Sequence, residues 1–311
     1  MKLTSVILAL ALTSSLSSFA VGKEKQGQSH HQTSPSAVFS HTALTKSIHL
    51  LQGKGGNIVL YTSDHATVMI DDDYADMSKA LQTQLSDLKI DLEAKPFYLI
   101  NTHWHGDHTG GNDELGAKAT IVAHHSVRER LSKRQEIPLF KMVSSPYAKH
   151  ALPTLTFDSE LQLHLQDTLS LYHMPNAHTD GDAVVMFKKA NVMHTGDLFF
   201  NGIFPFVDLD SGGRVSGMIA RINDIMPMID DKTQVVPGHG PLAHKQDLLA
   251  FQKMLIGTQA EVKRLLQEGK SLADIQKQGL SRQWQAWGKG FLDEKTWISI
   301  VVKSLQLDSK G

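Results

Sequence analysis

Seven side chains of metal-ligand type fall in four short segments of this chain, and three of those segments directly follow an apolar extended run. The first is Thr102-His103-Trp104-His105-Gly106-Asp107-His108, after Phe97–Ile100. Asp197 ends His194-Thr195-Gly196-Asp197, after Asn191–His194, and His239 lies in Pro237-Gly238-His239-Gly240, after Thr233–Val236. The fourth segment, Asn176-Ala177-His178-Thr179, follows Leu169–His173 by a short turn. A chain that uses all of them must gather several strand ends at one place, and strand ends are where open α/β sheets hold their ligands.

A lone histidine is weak evidence, because most are surface groups or satisfied core residues. Four ligand-type side chains within six residues, flanked by glycines, are hard to read as a solvated loop. His103 and His105 alternate in an extended loop, so both can face one metal. Asp107 and His108 then need a turn, which Gly106 permits. Imidazole and carboxylate suit zinc, and also iron or manganese. Seven ligands exceed what one tetrahedral zinc takes, so the set reads as two metals sharing a bridge.

The pattern between these segments alternates strands and helices. Strands are expected at Ser47–Leu51, Asn57–Thr62, Ala66–Asp71, Thr120–Ala123, Leu161–Leu165 and Ala183–Phe187. Apolar residues at helical spacing predict helices over Met77–Leu92, Ser216–Ile229 and Leu248–Leu266, with a short one at Ser126–Lys133. Ser216 is the expected N-cap of its helix, and Pro227 should end it. The tail Ser271–Leu307 reads as short helices whose Trp284, Trp287 and Trp297 pack on the main domain.

The run His103-Trp104-His105-Gly106-Asp107-His108, with distant His178, Asp197 and His239, resembles the H-x-H-x-D-H signature of the metallo-β-lactamase superfamily over roughly residues 45–245. The resemblance implies an α/β fold, a four-layer αββα sandwich with a C-terminal helical extension. The main domain would span 41–250 and the extension 251–311, packed on it. It further implies two zinc ions, one on His103, His105 and His178, the other on Asp107, His108 and His239, with Asp197 bridging. An aspartate at the bridge is similar to the glyoxalase II and lactonase type of site. Two-zinc β-lactamases usually carry Cys or a non-ligand residue there.

The implied activity is a metal-dependent hydrolase that uses a dizinc-bound hydroxide to cleave an ester, lactone, thioester or amide bond of a small molecule. Zinc lowers the pKa of bound water from about 15.7 to about 7, so no serine or cysteine nucleophile is required. Asp107 is the candidate catalytic residue, a ligand through one oxygen and a proton acceptor through the other. Thr102, Thr109, Asp180, Asp182 and Thr195 are candidates for fixing the histidine tautomers. A β-lactamase and a mononuclear-iron sulfur dioxygenase-type oxidoreductase are the alternatives, and iron content separates the latter. Trp104, with one or two of Phe199, Phe200, Phe204 and Phe206, is the expected substrate wall, under an irregular Lys141–Lys149 segment. His124, His125 and His194 read as structural, and His244 as solvated.

Lys2, the apolar run Val6–Leu12 and the small-x-small triplet Ser18-Phe19-Ala20 read as a signal peptide over 1–20, followed by a flexible leader over 21–40. The expected location is periplasmic or secreted. The chain has no cysteine, which excludes a lipoprotein anchor and any thiolate zinc site. A net charge of −1 with no basic block makes nucleic acid a poor partner, and a small-molecule substrate is expected. Oligomeric state is not legible.

Overall fold

A computed structural model of the protein describes residues 38–310. The expected signal peptide and nearly all of the leader lie outside the described residues. The chain opens with a meander of antiparallel strands, β1 (Ser40–Ala43), β2 (Ile48–Gln52), β3 (Ile58–Thr62) and β4 (Thr67–Ile70). Helix α1 (Ser78–Asp87) crosses to β5 (Phe97–Ile100), parallel to β4. Two single-turn helices, α2 (Gly106–Thr109) and α3 (Asn112–Leu115), lead to β6 (Thr120–His124) and α4 (His125–Leu131). A hairpin of β7 (Gln135–Ile137) and β8 (Met142–Ser144) stands apart as its own two-stranded sheet. Strand β9 (Leu155–Phe157) then pairs parallel to β6 and completes a seven-stranded sheet, ordered β1-β2-β3-β4-β5-β6-β9.

The second sheet has five strands in sequence order: β10 (Glu160–His164), β11 (Thr168–His173), β12 (Ala183–Phe187), β13 (Val192–His194) and β14 (Gln234–Val236). The first four pair antiparallel. Helix α5 (Val215–Ile225) separates β13 from β14, and those two pair parallel. The chain ends in α6 (Lys245–Gln267), α7 (Leu272–Gln278) and α8 (Glu294–Asp308).

Strands covered on both faces read as continuous apolar runs, and these do. Along β3, Val59 and Tyr61 join the core shared with the second sheet, while Ile58 and Leu60 pack on the α1 side with Leu81 and Leu85. Along β12, Ala183, Val185 and Phe187 face the first sheet, while Val184 and Met186 join the core of α5, α6 and α8. One core therefore lies between the sheets and one on each outer face. This is the αββα sandwich expected from the sequence, with the C-terminal helices in place.

Several boundaries differ from expectation, each for a local reason. The helix predicted over Met77–Leu92 stops at Asp87, where Lys89 turns into the left-handed region at φ 57. The amides of Lys89 and Ile90 close on the carbonyls of Ser86 and Leu85, a Schellman stop that spacing alone does not reveal. Leu88 and Leu92 still pack on the same core from beyond the helix. Ser216 is not the N-cap of α5. Arg214 holds that position, and Pro227 falls just past the helix end, as expected. The segment expected to be irregular at Lys141–Lys149 contributes β8 to the hairpin. Ser40, placed in the leader, opens β1. The expected boundary at 250 falls inside α6, so the main domain and the tail share one helix.

The tail is docked by a tryptophan. Trp297 on α8 is fully buried, stacks on Phe204 at a ring-centroid distance of 5.5 Å, and donates its indole N–H to Thr258 Oγ1 on α6 at 3.1 Å. Trp297→Ala is expected to cost about 3–5 kcal/mol, read as a lowered urea midpoint at unchanged slope. A loss well below about 1 kcal/mol would show that the tail does not share the cooperative core.

Candidate metal centre and active site

The centre is assembled at strand ends. Asp71 follows β4, His103, His105, Asp107 and His108 follow β5, Asp197 follows β13, and His239 follows β14. His178 sits in the turn between β11 and β12. All seven residues singled out in the sequence lie together, in two groups. Ligand atoms of His103, His105, His178 and Asp197 lie within 4.8 Å of one another, as do those of Asp107, His108 and His239. Asp197 stands between the groups. Its Oδ2 is 3.3 Å from His178 Nε2 and 3.7 Å from His103 Nε2, and its Oδ1 is 3.1 Å from His108 Nε2 and 3.5 Å from His239 Nε2.

Each buried ring has a partner on its outer side. His103 Nδ1 meets Thr102 Oγ1 at 3.1 Å, and that hydroxyl donates to Asp71 Oδ2. His105 Nε2 donates to Asp208 Oδ2 at 3.1 Å, His108 Nδ1 to Asp71 Oδ2 at 2.7 Å, and His178 Nδ1 to the Phe206 carbonyl at 2.8 Å. A neutral imidazole has one N–H, so these bonds leave an inward lone pair on each ring. The inward nitrogens face one another: His105 Nδ1 is 2.8 Å from His178 Nε2 and 3.1 Å from His103 Nε2, and His108 Nε2 is 3.3 Å from His239 Nε2. Buried lone pairs opposed at such distances repel unless a cation lies between them. Asp197 Oδ1 is also buried and accepts no hydrogen bond, so the residues present fit a pair of metal ions.

The electrostatics agree. Burial pushes His103 well below the ordinary imidazole range and His178 down to about 4, which keeps both neutral as ligands must be. Burial also acts to lower His239, but Asp197 and Asp107 outweigh it and carry it up to about 9. His108 rises well above its usual value in the same way, under Asp197, Asp107 and Asp71. Asp107 is held below the carboxylate range by His108 and His239 despite its burial, so it is ionised. The carboxylates favour positive charge in the space between them.

Two glycines let backbone approach these side chains closely. A Cβ on Gly238 would lie 2.0 Å from Asp197 Oδ1, and one on Gly56 would lie 2.2 Å from the His108 ring. Asn57 ties the same loops together, donating from its Nδ2 to the carbonyls of Pro237 and Gly240.

Of the residues expected to orient histidines, Thr102 does so directly. Asp182 shapes the His178 turn by accepting the amides of His178 and Thr179. Thr109 and Thr195 bond to backbone carbonyls, and Asp180 pairs with Arg130 away from the cluster. Asp71 and Asp208 are the carboxylates that sequence reasoning missed. Asp71 stands at the end of an apolar strand, as the recognised ligands do, and that position was its only signal; Asp208 had none. His124 stacks on His173 and accepts from Ser126 N, and His194 bridges Asn57 O and Gly196 N, so both are structural as expected. His244 is exposed and caps α6.

Asp107, Asp197, His105 and His239 open into a cleft of about 440 Å³. Trp104 is not part of it. Its ring packs edge-on against that of His105, with centroids 4.5 Å apart, on the core side, where it is 2% exposed. Phe199 and Phe204 are core residues too. Phe200 and Phe206 line the cleft, with Ile137, Phe140, Met142 and Phe291 from more distant segments.

The metallo-beta-lactamase superfamily model matches residues 51–249, a span that contains all seven converging residues. Among curated proteins, the chain is 24% identical over 233 residues to the human acyl-coenzyme A thioesterase MBLAC2, covering 65% of this chain and 81% of that protein. It is 26% identical over 145 residues to the hydroxyacylglutathione hydrolase of Nitrosococcus oceani, covering 45% of this chain and 47% of that enzyme. Among solved structures, the BLEG-1 B3 metallo-beta-lactamase superposes with a TM-score of 0.55 at 24% identity, over 71% of this chain and 100% of that one. A double mutant of the sec-alkyl sulfatase PisA1 superposes with a TM-score of 0.63 at 14% identity, over 86% of this chain and 50% of that one. The shared sandwich, the converging histidines and aspartates and the family match lead to one conclusion: the chain belongs to the metallo-β-lactamase superfamily of metal-dependent hydrolases.

Proposed function

We propose that this protein is a dinuclear zinc hydrolase that cleaves the ester, thioester or lactone bond of a small molecule. The observation that carries the reading is Asp197, whose two oxygens each face one group of histidines. His103, His105 and His178 would hold one ion and Asp107, His108 and His239 the other, with Asp197 between them. When bound, two zinc ions supply Lewis acidity at the substrate carbonyl and make water acidic near neutral pH.

The chain supplies the rest. Asp71 and Asp208 hold His108 and His105 in the tautomers that present their inward nitrogens. Asp107 is ionised and, like His239, about one-fifth exposed toward the cleft, so a free oxygen can hold the attacking water and take its proton. The apolar rim formed by Phe200, Phe206 and Phe140 keeps bulk water off the carbonyl. The names of the thioesterase and hydroxyacylglutathione hydrolase relatives support acyl transfer to water. The N-terminal pattern supports a periplasmic or secreted location.

Metal analysis of the purified protein is expected to give two zinc ions per chain, and Asp197→Ala is expected to lose at least one of them. A saturated preparation that holds a single metal, with Asp197→Ala unchanged, would refute the dinuclear reading. A single iron would instead favour the dioxygenase-type alternative.

Asp107→Asn is expected to lower kcat by about 10²–10⁴-fold while retaining most of the metal, because an amide oxygen can ligate but cannot accept the proton. Near wild-type turnover in a metal-loaded variant would remove Asp107 from the chemistry.

On one zinc-loaded sample, kcat/KM for a simple lactone and a thioester should exceed that for a chromogenic cephalosporin. An anionic amide nitrogen needs more stabilisation as it leaves than an alkoxide or thiolate does. A cephalosporin value above both others would restore the β-lactamase reading.

A further inference from the structure

Large apolar side chains are exposed together beside the metal centre. Phe140 and Met142 in the β7–β8 hairpin are 37% and 41% exposed, and Phe291, just before α8, is 53% exposed. Scattered exposed apolar residues need no account, but a group at the mouth of a cleft does. These three line the cleft with Ile137, Phe200 and Phe206. The rings form a continuous path from the metal-ligand histidines outward. Phe200 stacks on His239 with centroids 5.2 Å apart and lies 6.0 Å from Phe291. Phe206 tilts over His105 at 5.6 Å and lies 4.8 Å from Phe140, which is 6.4 Å from Phe291. The outer rings therefore converge over a trough whose floor begins at His105 and His239.

Apart from the histidines of the metal centre, the lining carries one basic side chain among the described residues, at its exposed edge. Lys54 is already paired with Asp76 and sits over the Tyr74 ring. The outer wall is also built from parts beyond the two sheets. The hairpin is a separate two-stranded sheet, and Phe291 lies outside the 51–249 span of the family match. Shape and chemistry both select an apolar group attached to the reacting carbonyl.

We infer that the trough of Phe140, Met142, Phe206 and Phe291 binds an apolar acyl chain, so that the substrates are esters or thioesters of aliphatic acids longer than acetate. This rests on the hydrolase reading above. In that reaction the acyl C–O or C–S bond breaks, water supplies the new acid oxygen, and the second water proton goes to the leaving alcohol or thiol. The trough determines which acyl groups reach that step.

The test uses p-nitrophenyl acetate, butyrate and octanoate on the zinc-loaded full chain. The octanoate to acetate ratio of kcat/KM is expected to be about tenfold or more, the order by which added methylenes are rewarded in an apolar pocket. The double variant Phe140→Ala/Phe291→Ala should lower that ratio at least about fivefold, whereas Val143→Ala, exposed on the same hairpin but outside the lining, should not change it. If circular dichroism shows the double variant unfolded, Met142→Ala carries the same expectation. A flat or falling chain-length series, or a ratio untouched by the trough variants, overturns the inference. If none of these esters is turned over, the hydrolase reading stands or falls on the lactone and thioester assays above, and calorimetry decides the trough separately. Octanoate binding tighter than acetate, with a negative heat-capacity change, supports it, and equal binding refutes it.

Discussion

Convergence of inward-facing imidazole nitrogens around one buried carboxylate is the constraint on which this structure depends. His103, His105, His108 and His178 direct their inward nitrogens into one space, which Asp197 enters from β13 without a hydrogen bond on its Oδ1. In a low-dielectric interior that arrangement is stable only with positive charge at its centre. The surrounding hydrogen bonds serve it. An imidazole that donates outward to Asp71, Asp208 or the Phe206 carbonyl is fixed in tautomer and ring angle.

The three consecutive aspartates after β4 illustrate how one turn divides this work. Asp71 sits at φ 61 and accepts from His108, from Thr102 N and from Thr102 Oγ1. Asp72 accepts the Gly111 amide, which secures the end of the ligand loop, and burial holds its carboxyl well above the usual range. Asp73, at φ 63, accepts the amides of Lys54, Gly55 and Tyr74 and so fixes the turn between β2 and β3. That turn bonds in turn to Asp107 O and Gly238 O, so strands of both sheets are tied at the centre. The left-handed turns at Asp71 and Asp73 cost conformational energy, which these bonds offset.

The metal-ligand geometry and the cleft wall come from different layers of the molecule. The ligands stand on strand ends braced by three apolar cores, which is what holds a metal site to tight tolerances. The outer wall is a short hairpin and a tail segment, where side chains vary at little cost to the core. A rigid chemical floor with an adjustable rim lets one fold serve many substrates.

Much of this was legible along the chain. The strands and helices follow from apolar runs of strand length alternating with helical spacing, their αββα layering was implied by the family resemblance, and the seven converging residues stand out because each lies next to a strand end or turn that sequence patterns mark. Neighbours in sequence could not reveal partners in space. Asp208 reaches His105 from 103 residues away, and Phe291 meets Phe140 only because the tail folds back over the second sheet. Trp104 shows the opposite failure, since adjacency to two ligands suggested the cleft while its ring packs on the core side of His105. The sequence alone determined the order of strands and helices and the candidate ligand set with the family resemblance it carries, because the first depends on local periodicity and the second on residue type and spacing. The tautomer-fixing carboxylates, the distances of the two Asp197 oxygens to their separate groups of histidines and the identity of the cleft wall were decided only by tertiary structure, because each depends on which distant strand end, hairpin or tail the packing of the sheets brings within a few ångströms.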